Sequence, residues 1–581
     1  MFEKVLIANR GEIAVRIIRT LREMGIRSVA AYSDADREAL FVQEADEAFR
    51  LGPAAAGESY LNVEAIMSVA LQSGAQAIHP GYGFLAENAG FAEVAEEAGL
   101  VFIGPSPRAI RLMGDKVEAR RLAQALHVPV VPGTPGPVES VEEALVFANA
   151  AGYPIAVKAA AGGGGRGIRV ARTPEELPAS LEAARREAQA YFHNPQVYLE
   201  RYYENPRHIE IQVLGDRLGN LVHLGERDCS VQRRHQKLIE ETPSPAVNRE
   251  LRRQMGETAL RLARAVEYSS AGTVEFLLAR DGEFFFLEMN TRIQVEHPIT
   301  ERVTGVDLIR EMVLAAAGEP ITLRESVLDL NGHAIEVRVN AENPAESFRP
   351  TPALITHYQE PGGIGVRMDS GVYAGYTIPD AYDSLMAKLI SWAPDREAAR
   401  RRALRALGEF RIAGPSSTIP FALAVLESEP FVAGTIGTTF VGEHLDQLVA
   451  AMPEQSLVGT RPGESIERTA ARSFEVEVNR KLFRVRVAEI ESEAGARSPK
   501  RQKSLVVPSV RDNEVTSPMH GTIIAVRTRA GEQVEVGQTL FVIEAMKMEN
   551  EVSARRAGTI ESVVAEFGQT VEAGQRLATI E

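Results

Sequence analysis

The sequence predicts a multidomain protein in which α/β and α+β regions are followed by a small all-β domain at the C-terminus. Three observations support this fold class. Short apolar runs alternate with helical patterns through residues 1–113, longer strands and helices mix through residues 114–446, and a β-rich segment occurs twice between 513 and 581. Strands that alternate with helices predict a parallel sheet with crossover helices, whereas β-branched runs separated by glycine turns predict an all-β domain.

Length and composition are those of a globular protein of ordinary solubility. A chain of 581 residues is long enough for roughly three to five domains, and its 25% charged and 45% hydrophobic residues are typical. The net charge of −15 argues against general nucleic-acid binding, which needs a basic face. The single cysteine, Cys229, excludes an intrachain disulfide and fits a reducing compartment. Because neither a cleavable leader nor an apolar run of about 20 residues is evident, we expect a cytoplasmic protein that does not enter a membrane.

Residues 1–113 show the alternation most clearly. The predicted elements are three strands and one helix, at 5–8, 28–32, 75–78 and 12–24. Gly11 is the one glycine at the first strand–helix turn, so the glycine-rich dinucleotide fingerprint is absent. We interpret this region as a structural nucleotide-type fold.

The two regions between residues 331 and 511 are less regular. Residues 331–446 begin with a strand at 333–340 and end with helices such as 396–410. Residues 447–511 are rich in proline and charge, and they contain one hairpin pattern, SFEVEVNRKLFRVRVAEI, with Asn479-Arg480 at its turn. We interpret residues 447–511 as a linker with a small β element.

A lysine and a glycine run indicate nucleotide binding in residues 114–330. Lys158 ends the apolar strand YPIAVK and is followed by AAAGGGGRG, which includes Gly163, Gly164 and Gly165. The N–H groups of such a loop can surround phosphate oxygens, with lysine as the counter-charge. A glycine run alone also fits a flexible linker, but Lys116 in the upstream MGDK favours the nucleotide interpretation.

The segment TVEFLLARDGEFFFLEMNTR predicts a metal site on a hairpin. Asp281-Gly282 between two apolar runs is a strong hairpin pattern, and a two-residue turn there places Glu275 directly opposite Glu288. Opposed carboxylates are destabilising unless a cation lies between them. Glu288, Asn290 and Arg292 share one face by alternation, with Phe285, Leu287 and Met289 on the other. Carboxylate and amide oxygens favour Mg²⁺; the alternative is an exposed edge that carries acids by chance.

Two polar segments could bind a small anion near such a metal. One is the cationic run Gln232 to Lys237, QRRHQK, and the other is Gln294 to His297, QVEH. Arginine offers planar paired donors and lysine a point charge. Taken alone, a basic run of this kind is usually a solvated surface.

The tail is a duplicated unit around one lysine. Residues 513–544 and 550–581 are identical at 15 of 32 positions when shifted by 37, which indicates one supersecondary unit repeated about a pseudo-twofold axis. We expect each copy to be a small meander of strands. Lys547 lies between the copies, flanked by Met546 and Met548, and methionines at an exposed turn suggest a surface that another protein contacts. Covalent modification of Lys547 is the interpretation we favour.

These motifs resemble those of the biotin-dependent carboxylases. The AMKM tetrapeptide is similar to the modification site of biotinyl domains, whereas lipoyl domains share the fold but usually lack the paired methionines. Residues 1–446 resemble biotin carboxylase, an ATP-grasp enzyme, through an ordered set of strings: ANRGEIAVRI, HPGYGFLAEN, MGDK, VKAAAGGGGRG, NPRHIEIQ, ERDCSVQRRHQK, LEMNTRIQVEHPITE and EVRVNAE.

The resemblance implies a division into five parts. These are an N-terminal parallel α/β domain at 1–113, an ATP-grasp domain at 114–330 with a mobile glycine-rich lid at about 132–203, a carboxylase C-terminal domain at 331–446, the linker at 447–511 and a biotinyl/lipoyl-type flattened barrel at 512–581.

The resemblance also implies site residues, by position in this sequence. ATP would be held by Lys116, Lys158, the loop with Gly163, Gly164 and Gly165, Glu200 at the adenine pocket, His208, Gln232 and His235. The metal, Mg²⁺ with Mn²⁺ as an alternative, would be held by Glu275, Glu288 and Asn290. Bicarbonate would be held by Lys237, Arg292, Gln294 and the backbone of Val295. Glu296 would be the general base, Arg338 would stabilise the biotin enolate, and Lys547 would carry biotin.

The implied protein is the α subunit of an acyl-CoA carboxylase of the acetyl- or propionyl-CoA type. Its expected partners are a biotin protein ligase and a carboxyltransferase β subunit, within a hetero-oligomer that contains several copies of this chain. Two alternatives stay open from the sequence: the biotin subunit of pyruvate carboxylase or another biotin-dependent carboxylase, and an ATP-grasp ligase with a lipoyl-type carrier.

Overall fold

The structure is a computed structural model that describes residues 1–159, 168–192, 195–323, 325–453, 472–478, 481–487, 514–518, 521–545, 548–571 and 574–581. The chain separates into two compact units, Met1–Pro453 and Glu454–Glu581. Within the described ranges, no helix combines the length and the apolarity that crossing a bilayer requires.

The first unit opens with the predicted parallel sheet. Its five strands are β1 Lys4–Ile7, β2 Arg27–Ser33, β3 Glu47–Gly52, β4 Ala77–His79 and β5 Val101–Phe102, in the order β3-β2-β1-β4-β5. Every neighbouring pair is parallel, as expected when helices connect successive strands. The connecting helices are α1 Gly11–Glu23, α2 Leu40–Glu44, α3 Val63–Ser73 and α4 Ala89–Glu97, and α5 Pro107–Gly114 follows β5.

A three-stranded antiparallel sheet follows. Its strands are β6 Ile155–Ala159, β7 Ile168–Ala171 and β8 Val197–Arg201, with β6 in the centre, and the nearby helices are α6 Lys116–Ala125, α7 Val141–Ala151 and α8 Leu177–Phe192. Asp115 accepts hydrogen bonds from the backbone N–H groups of Val117 and Glu118, and this N-cap starts α6 at Lys116. The predicted loop glycines Gly163, Gly164 and Gly165 lie outside the described residues.

The largest element is an eight-stranded antiparallel sheet. Its strands are β9 Arg207–Gly215, β10 Leu221–Arg233, β11 Gln236–Thr242, β12 Ser270–Leu278, β13 Phe284–Asn290, β14 His333–Asn340, β18 Val366–Ser370 and β19 Leu385–Ala393. The order is β13-β12-β9-β10-β11-β14-β19-β18. Since β11 pairs directly with β14, the sheet continues across the division that we expected between residues 330 and 331.

Helices and short strands complete the first unit. The helices are α9 Arg249–Ala265, α10 His297–Thr304, α11 Leu308–Ala316, α12 Arg396–Glu409, α13 Ile419–Glu427, α14 Glu429–Ala433 and α15 Phe440–Ala450. The strands are β15 Glu342–Asn343, β16 Arg349–Pro350, β17 His357–Gln359 and β20 Arg411–Ala413. One apolar core joins α1 to the large sheet and to α13, with buried Ile17, Val337, Leu389 and Val425 as members.

The second unit contains the predicted hairpin and the duplicated domain. Strands β21 Arg472–Val478 and β22 Lys481–Val487 pair antiparallel from Arg472↔Val487 to Val478↔Lys481. The register agrees with the predicted hairpin, whose turn residues Asn479 and Arg480 lie outside the described part of the chain.

The two copies of the repeat interlock. The strands are β23 Glu514–Thr516, β24 Gly521–Val526, β25 Gln533–Val534, β26 Thr539–Ala545, β27 Met548–Ser553, β28 Gly558–Val563, β29 Thr570–Val571 and β30 Arg576–Ile580. The two sheets have the orders β23-β30-β28-β25 and β27-β26-β24-β29, so each sheet contains strands from both copies. The predicted twofold is confirmed, but the prediction of two separate meanders is wrong, because each copy buries its apolar face only with strands of the other. Lys547 lies outside the described residues, and the strands that flank it pair up to Ala545↔Met548.

Candidate active site

The predicted pair of opposed carboxylates is present on the hairpin of β12 and β13. Glu275 is directly opposite Glu288 in the antiparallel register. The turn is not the predicted two-residue turn, because Ala279 accepts a hydrogen bond from Gly282 and pairs with Glu283 around a three-residue loop. A one-residue irregularity between Glu275 and Phe276 compensates for the difference.

This irregularity changes which side chains share a face. Leu287 is 42% exposed, whereas Phe286 and Met289 are buried in one core cluster. A bulge residue reverses the alternation of the strand beyond it. The prediction that Phe285, Leu287 and Met289 share a face is therefore wrong, although the predicted opposition of the two acids is right.

Lys237 is the centre of a buried cluster of charges. Its ammonium lies 2.6 Å from Glu210, 2.6 Å from Glu296 and 3.1 Å from Glu275. Burial by itself would lower the pKa of Lys237, but Glu210 and Glu296 outweigh burial and hold it well above its ordinary value. An ammonium with three carboxylate partners is a fixed positive charge, and its interactions are stronger in this largely enclosed place than in water.

Glu296 lies immediately before α10, where a carboxylate benefits from the positive end of the helix dipole. Its second oxygen accepts from Arg338 at 2.9 Å, and Arg338 also donates to Glu240 at 2.6 Å. Burial by itself would raise the pKa of Glu296, but Lys237 and Arg338 hold it well below its ordinary value. Glu296 is therefore ionised at neutral pH.

In contact with this cluster is Arg227, which lies within the string ERDCSVQRRHQK but has no predicted role. Arg227 is fully buried in β10, directly opposite Glu210 on β9. Its guanidinium donates to Glu210, and its further acceptors are Gln212 at 2.7 Å, Thr273 at 3.1 Å, Gln294 at 2.8 Å and Thr300 at 2.9 Å. A charged residue between apolar neighbours within a strand could have revealed Glu210, which lies between Ile209 and Ile211, but Arg227 lies between Glu226 and Asp228 and shows no such pattern.

The predicted anion-binding residues fall into two groups. Gln294 belongs to the Lys237 cluster, since it donates to Glu275 at 2.9 Å and accepts from Arg227. The carbonyl of Val295 accepts from Lys388 at 2.8 Å. Arg292 lies at the edge, where it donates to Asn290 at 2.9 Å and to Glu87 at 3.0 Å.

Two of the predicted nucleotide-binding residues, Lys116 and Lys158, contact acidic residues outside the Lys237 cluster. Lys116, with its side chain 83% exposed, lies 3.1 Å from Glu288. Lys158 contacts Glu200, which also accepts from Arg120 at 3.0 Å.

The remaining predicted nucleotide ligands lie on the large sheet. His208 is 3.1 Å from Glu275, so it joins the acidic cluster. Gln232 is buried and directly opposite Lys237, whereas His235 is exposed in the turn between β10 and β11. Arg234 and His235 both have positive φ, 48° and 66°, which is the backbone of a tight two-residue hairpin.

The predicted metal ligands fit a hard divalent cation. Glu275 and Glu288 present opposed carboxylates, and Asn290 donates from its amide to Glu275 at 2.9 Å while its carbonyl oxygen accepts from Arg292. An amide oxygen has two lone pairs, so the contact with Arg292 leaves one for a metal. An oxygen-only set of this kind suits Mg²⁺.

Four known families match successive parts of the chain. They are "Biotin carboxylase, N-terminal domain" at residues 1–110, "Carbamoyl-phosphate synthase L chain, ATP binding domain" at 115–324, "Biotin carboxylase C-terminal domain" at 336–443 and "Biotin-requiring enzyme" at 513–580.

Similar proteins agree with these families. Biotin carboxylase 1 of Bacillus subtilis (strain 168) is 56% identical over 442 residues, which cover 76% of this chain and 98% of that protein. A pyruvate carboxylase subunit of Methanothermobacter thermautotrophicus is 51% identical over 452 residues, which cover 78% of this chain and 92% of that protein.

A solved structure adds the three-dimensional comparison. The biotin carboxylase domain dimer of the Hydrogenobacter thermophilus 2-oxoglutarate carboxylase, in complex with MgADP, ADP and bicarbonate, has a TM-score of 0.69 and 47% identity, and covers 77% of this chain and 99% of that chain. Sequence and fold therefore agree over the whole first unit, and the chain belongs to the biotin carboxylases, ATP-dependent ligases that carboxylate biotin, with a biotin/lipoyl-type carrier domain in the same polypeptide.

Proposed function

We propose that the chain uses ATP and bicarbonate to carboxylate biotin attached to its own Lys547, as the first half-reaction of an acyl-CoA carboxylase of the acetyl- or propionyl-CoA type. The observation that carries the proposal is the Lys237 cluster, in which the partly buried ammonium of Lys237 and the guanidinium of Arg338 both contact the buried carboxylate of Glu296. A site that combines fixed cations with an ionised carboxylate suits an anionic substrate from which a proton must be removed.

Bicarbonate would lie against Lys237, Arg292, Gln294 and the N–H of Val295. The carbonyl of Val295 already accepts from Lys388, which leaves its N–H as the backbone donor for the anion. Glu296 would take the proton of bicarbonate as a bicarbonate oxygen attacks the terminal phosphorus of ATP, and the bond from that phosphorus to ADP would break, which gives carboxyphosphate and ADP. A bound anion would draw Lys237 away from Glu296 and so weaken one of the ion pairs that lower the pKa of Glu296. Glu296 would then be a stronger base.

ATP would be held by Lys116, Lys158 and the loop that contains Gly163, Gly164 and Gly165, with Glu200, His208, Gln232 and His235 as further contacts. Lys158 contacts Glu200 in the structure and would exchange that partner for phosphate. Mg²⁺, held by Glu275, Glu288 and Asn290, would neutralise phosphate charge during transfer. Arg338 would stabilise the negative charge on the ureido oxygen of biotin.

The carboxyl group then needs an acceptor, which we place on a separate carboxyltransferase β subunit. The stretches between the four family matches are at most 69 residues long, the longest being 444–512, which is short for a further catalytic domain. A biotin protein ligase would modify Lys547, and the carboxylase parts would pair as in the dimer of the 2-oxoglutarate carboxylase domain. We place the complex in the cytoplasm.

Pyruvate or another 2-oxoacid is the second candidate acceptor. It is favoured by the 51% identity to the pyruvate carboxylase subunit of M. thermautotrophicus and the 47% identity to a 2-oxoglutarate carboxylase domain. Purification of the chain with its bound partner, followed by acceptor assays with acetyl-CoA, propionyl-CoA and pyruvate, decides between the two candidates.

The test of the proposed function follows radiolabelled bicarbonate. With ATP, the biotinylated chain should transfer label to itself and should also carboxylate free biotin. Lys547→Arg should lose both the streptavidin signal and self-labelling, because only the lysine amine accepts biotin, while it still carboxylates free biotin. Undiminished streptavidin binding in Lys547→Arg would refute the carrier assignment. Lack of any biotin-stimulated ATP cleavage in the folded chain would refute the carboxylase activity.

Glu288→Gln should raise the Mg²⁺ concentration needed for half-maximal ATP cleavage by at least about tenfold, since a neutral amide binds hard cations more weakly than a carboxylate. Direct Mn²⁺ binding measured by electron paramagnetic resonance should weaken in parallel. Glu283→Gln is the matched control, because Glu283 is an exposed acid near the turn of the same hairpin. Equal metal dependence in Glu288→Gln and the unmodified protein would exclude Glu288 as a ligand.

A further inference from the structure

Glu240 and Glu336 are two carboxyl groups that face each other in the buried centre of the large sheet. They are directly opposed between β11 and β14, and neither side chain is exposed to solvent. Two carboxylates in this relation repel each other, and a buried carboxylate without a partner is strongly disfavoured. Geometry alone therefore indicates that the two groups are not both ionised.

Their hydrogen bonds are unequal. Glu240 accepts from Nε of Arg338 at 2.6 Å, and the other end of Arg338 donates to Glu296 at 2.9 Å. Neither oxygen of Glu336 has a hydrogen-bond partner among the residues that the structure describes. Glu336 is thus the member of the pair that is better suited to carry a proton.

The charged groups around Glu336 come from four elements: Glu240 on β11, Arg338 on β14, Lys388 on β19 and Glu296 at the start of α10. Lys388 has other partners, since it donates to Val295 and pairs with Glu12 at 3.1 Å. Burial raises the pKa of Glu336 well above its ordinary value, and Glu240 raises it further against the effect of Lys388. Burial likewise raises the pKa of Glu240, to about 7.

We propose that Glu240 and Glu336 share one proton, held by Glu336 in the active enzyme, and that this proton leaves Arg338 to bridge Glu240 and Glu296. Glu336 is then a positioning residue that acts through Arg338. The inference rests on the proposed roles of Glu296 and Arg338. If Glu336 ionises, it competes for the guanidinium, and Arg338 is drawn away from Glu296 and from the place where it would meet biotin.

The consequence is a loss of activity on the alkaline side. A carboxyl group whose pKa is raised in the folded protein keeps its proton at neutral pH and loses it as the pH rises through the raised value. The rate of free-biotin carboxylation should therefore fall at alkaline pH. The contribution of this one carboxyl group to the free energy of unfolding should decrease as the pH rises from its ordinary pKa to the raised value, because in that range the unfolded chain binds fewer protons at this group than the folded protein does.

The test compares pH profiles of free-biotin carboxylation by the full chain. Glu336→Gln is locked neutral, so near pH 7 its kcat should stay within about threefold of the unmodified protein, and its alkaline loss should move up by at least about one pH unit. Glu336→Asp should restore an alkaline loss. Glu342→Gln is the matched control, because burial also raises the pKa of Glu342 to about 7, yet its hydrogen bonds are to Asn340 and Ser384. This control should keep the original profile.

Glu240→Gln provides a second variant in case Glu336→Gln does not fold. It removes the repulsion that raises the pKa of Glu336, so it should move the alkaline loss to lower pH. An unchanged alkaline loss, in whichever variant folds, overturns the inference while leaving the proposed function intact. If no preparation carboxylates biotin at any pH, the proposed function fails instead. The infrared carbonyl band of a protonated carboxyl group should be present in the unmodified chain near pH 7 and weaker in Glu336→Gln, and an equal band in the two proteins would also overturn the inference.

Discussion

Glu296→Gln is expected to lower kcat for bicarbonate-dependent carboxylation of biotin by about 10²–10⁴-fold, the range that general-base catalysis contributes. Glutamine keeps the shape of the side chain and can still accept a hydrogen bond from Lys237 or Arg338, the two partners of Glu296 in the structure. It cannot take up a proton. The loss should therefore appear in kcat with bicarbonate and biotin saturating, and the Kd of ATP should stay within about twofold.

A buried acid outside the cluster is the control for this substitution. Glu311 on α11 is buried and accepts two hydrogen bonds from Thr322, at 2.8 and 2.6 Å. Glu311→Gln also exchanges a buried carboxylate for an amide, but at a carboxylate that is hydrogen-bonded to Thr322 instead of Lys237, so it should retain carboxylation within about threefold. Turnover of Glu296→Gln within a few-fold of the unmodified protein would show that Glu296 is not the base.

The opposition of Glu275 and Glu288 could be predicted from the sequence because two local rules act on a short segment. Aspartate-glycine indicates the hairpin, and alternation indicates the register. The structure departs from the predicted hairpin in two places, the three-residue loop before Glu283 and the irregularity beside Phe276. Each shifts the register by one residue, and the two shifts cancel at Glu275. Period-two alternation contains no information about a bulge, so the faces of Leu287 and Met289 could not be predicted.

The buried charges could not be predicted for a different reason. Glu210, Arg227 and Lys237 come from three successive strands of the large sheet, but their partners Glu275 and Glu296 follow much later in the chain. Only the strand order, which places β9 between β12 and β10, brings them together. Local patterns do not determine that order. The resemblance to a known family assigned roles to Lys237, Glu275 and Glu296, but it assigned none to Arg227, although the matching string ERDCSVQRRHQK contains it.

The duplicated tail shows the same limit. Identities at a constant shift, such as Gly521/Gly558 and Ile523/Ile560, predict two equivalent units. They do not say whether the units fold separately or exchange strands. The exchange of strands follows from the amount of apolar surface that one copy can bury. A unit of four short strands is too small to bury Phe541 and Leu577 without a second sheet.

Arg227→Met is expected to lower the free energy of unfolding of the first unit by about 3–5 kcal/mol, the cost of removing one partner from a buried ion pair. The substitution leaves the carboxylate of Glu210 in the interior with Lys237 at 2.6 Å as its nearest cation and His208 at 3.9 Å. It also removes the donor that orients Gln294. We therefore expect carboxylation to fall as well, by more than the loss of folded protein explains.

The measurement is urea-induced unfolding followed by the fluorescence of Trp392, the single tryptophan of the chain, which lies in β19 of the large sheet. Arg253→Met is the control, because Arg253 is an exposed arginine on α9 that pairs with Glu250 and Glu257 on the same helix. Exposed pairs of this kind contribute little, so the control should unfold at the urea concentration of the unmodified protein. Replacing Glu210 by glutamine in the Arg227→Met background should recover part of the loss, since it removes the uncompensated charge. If Arg227→Met unfolds at the same urea concentration as the control, the buried guanidinium does not stabilise the sheet.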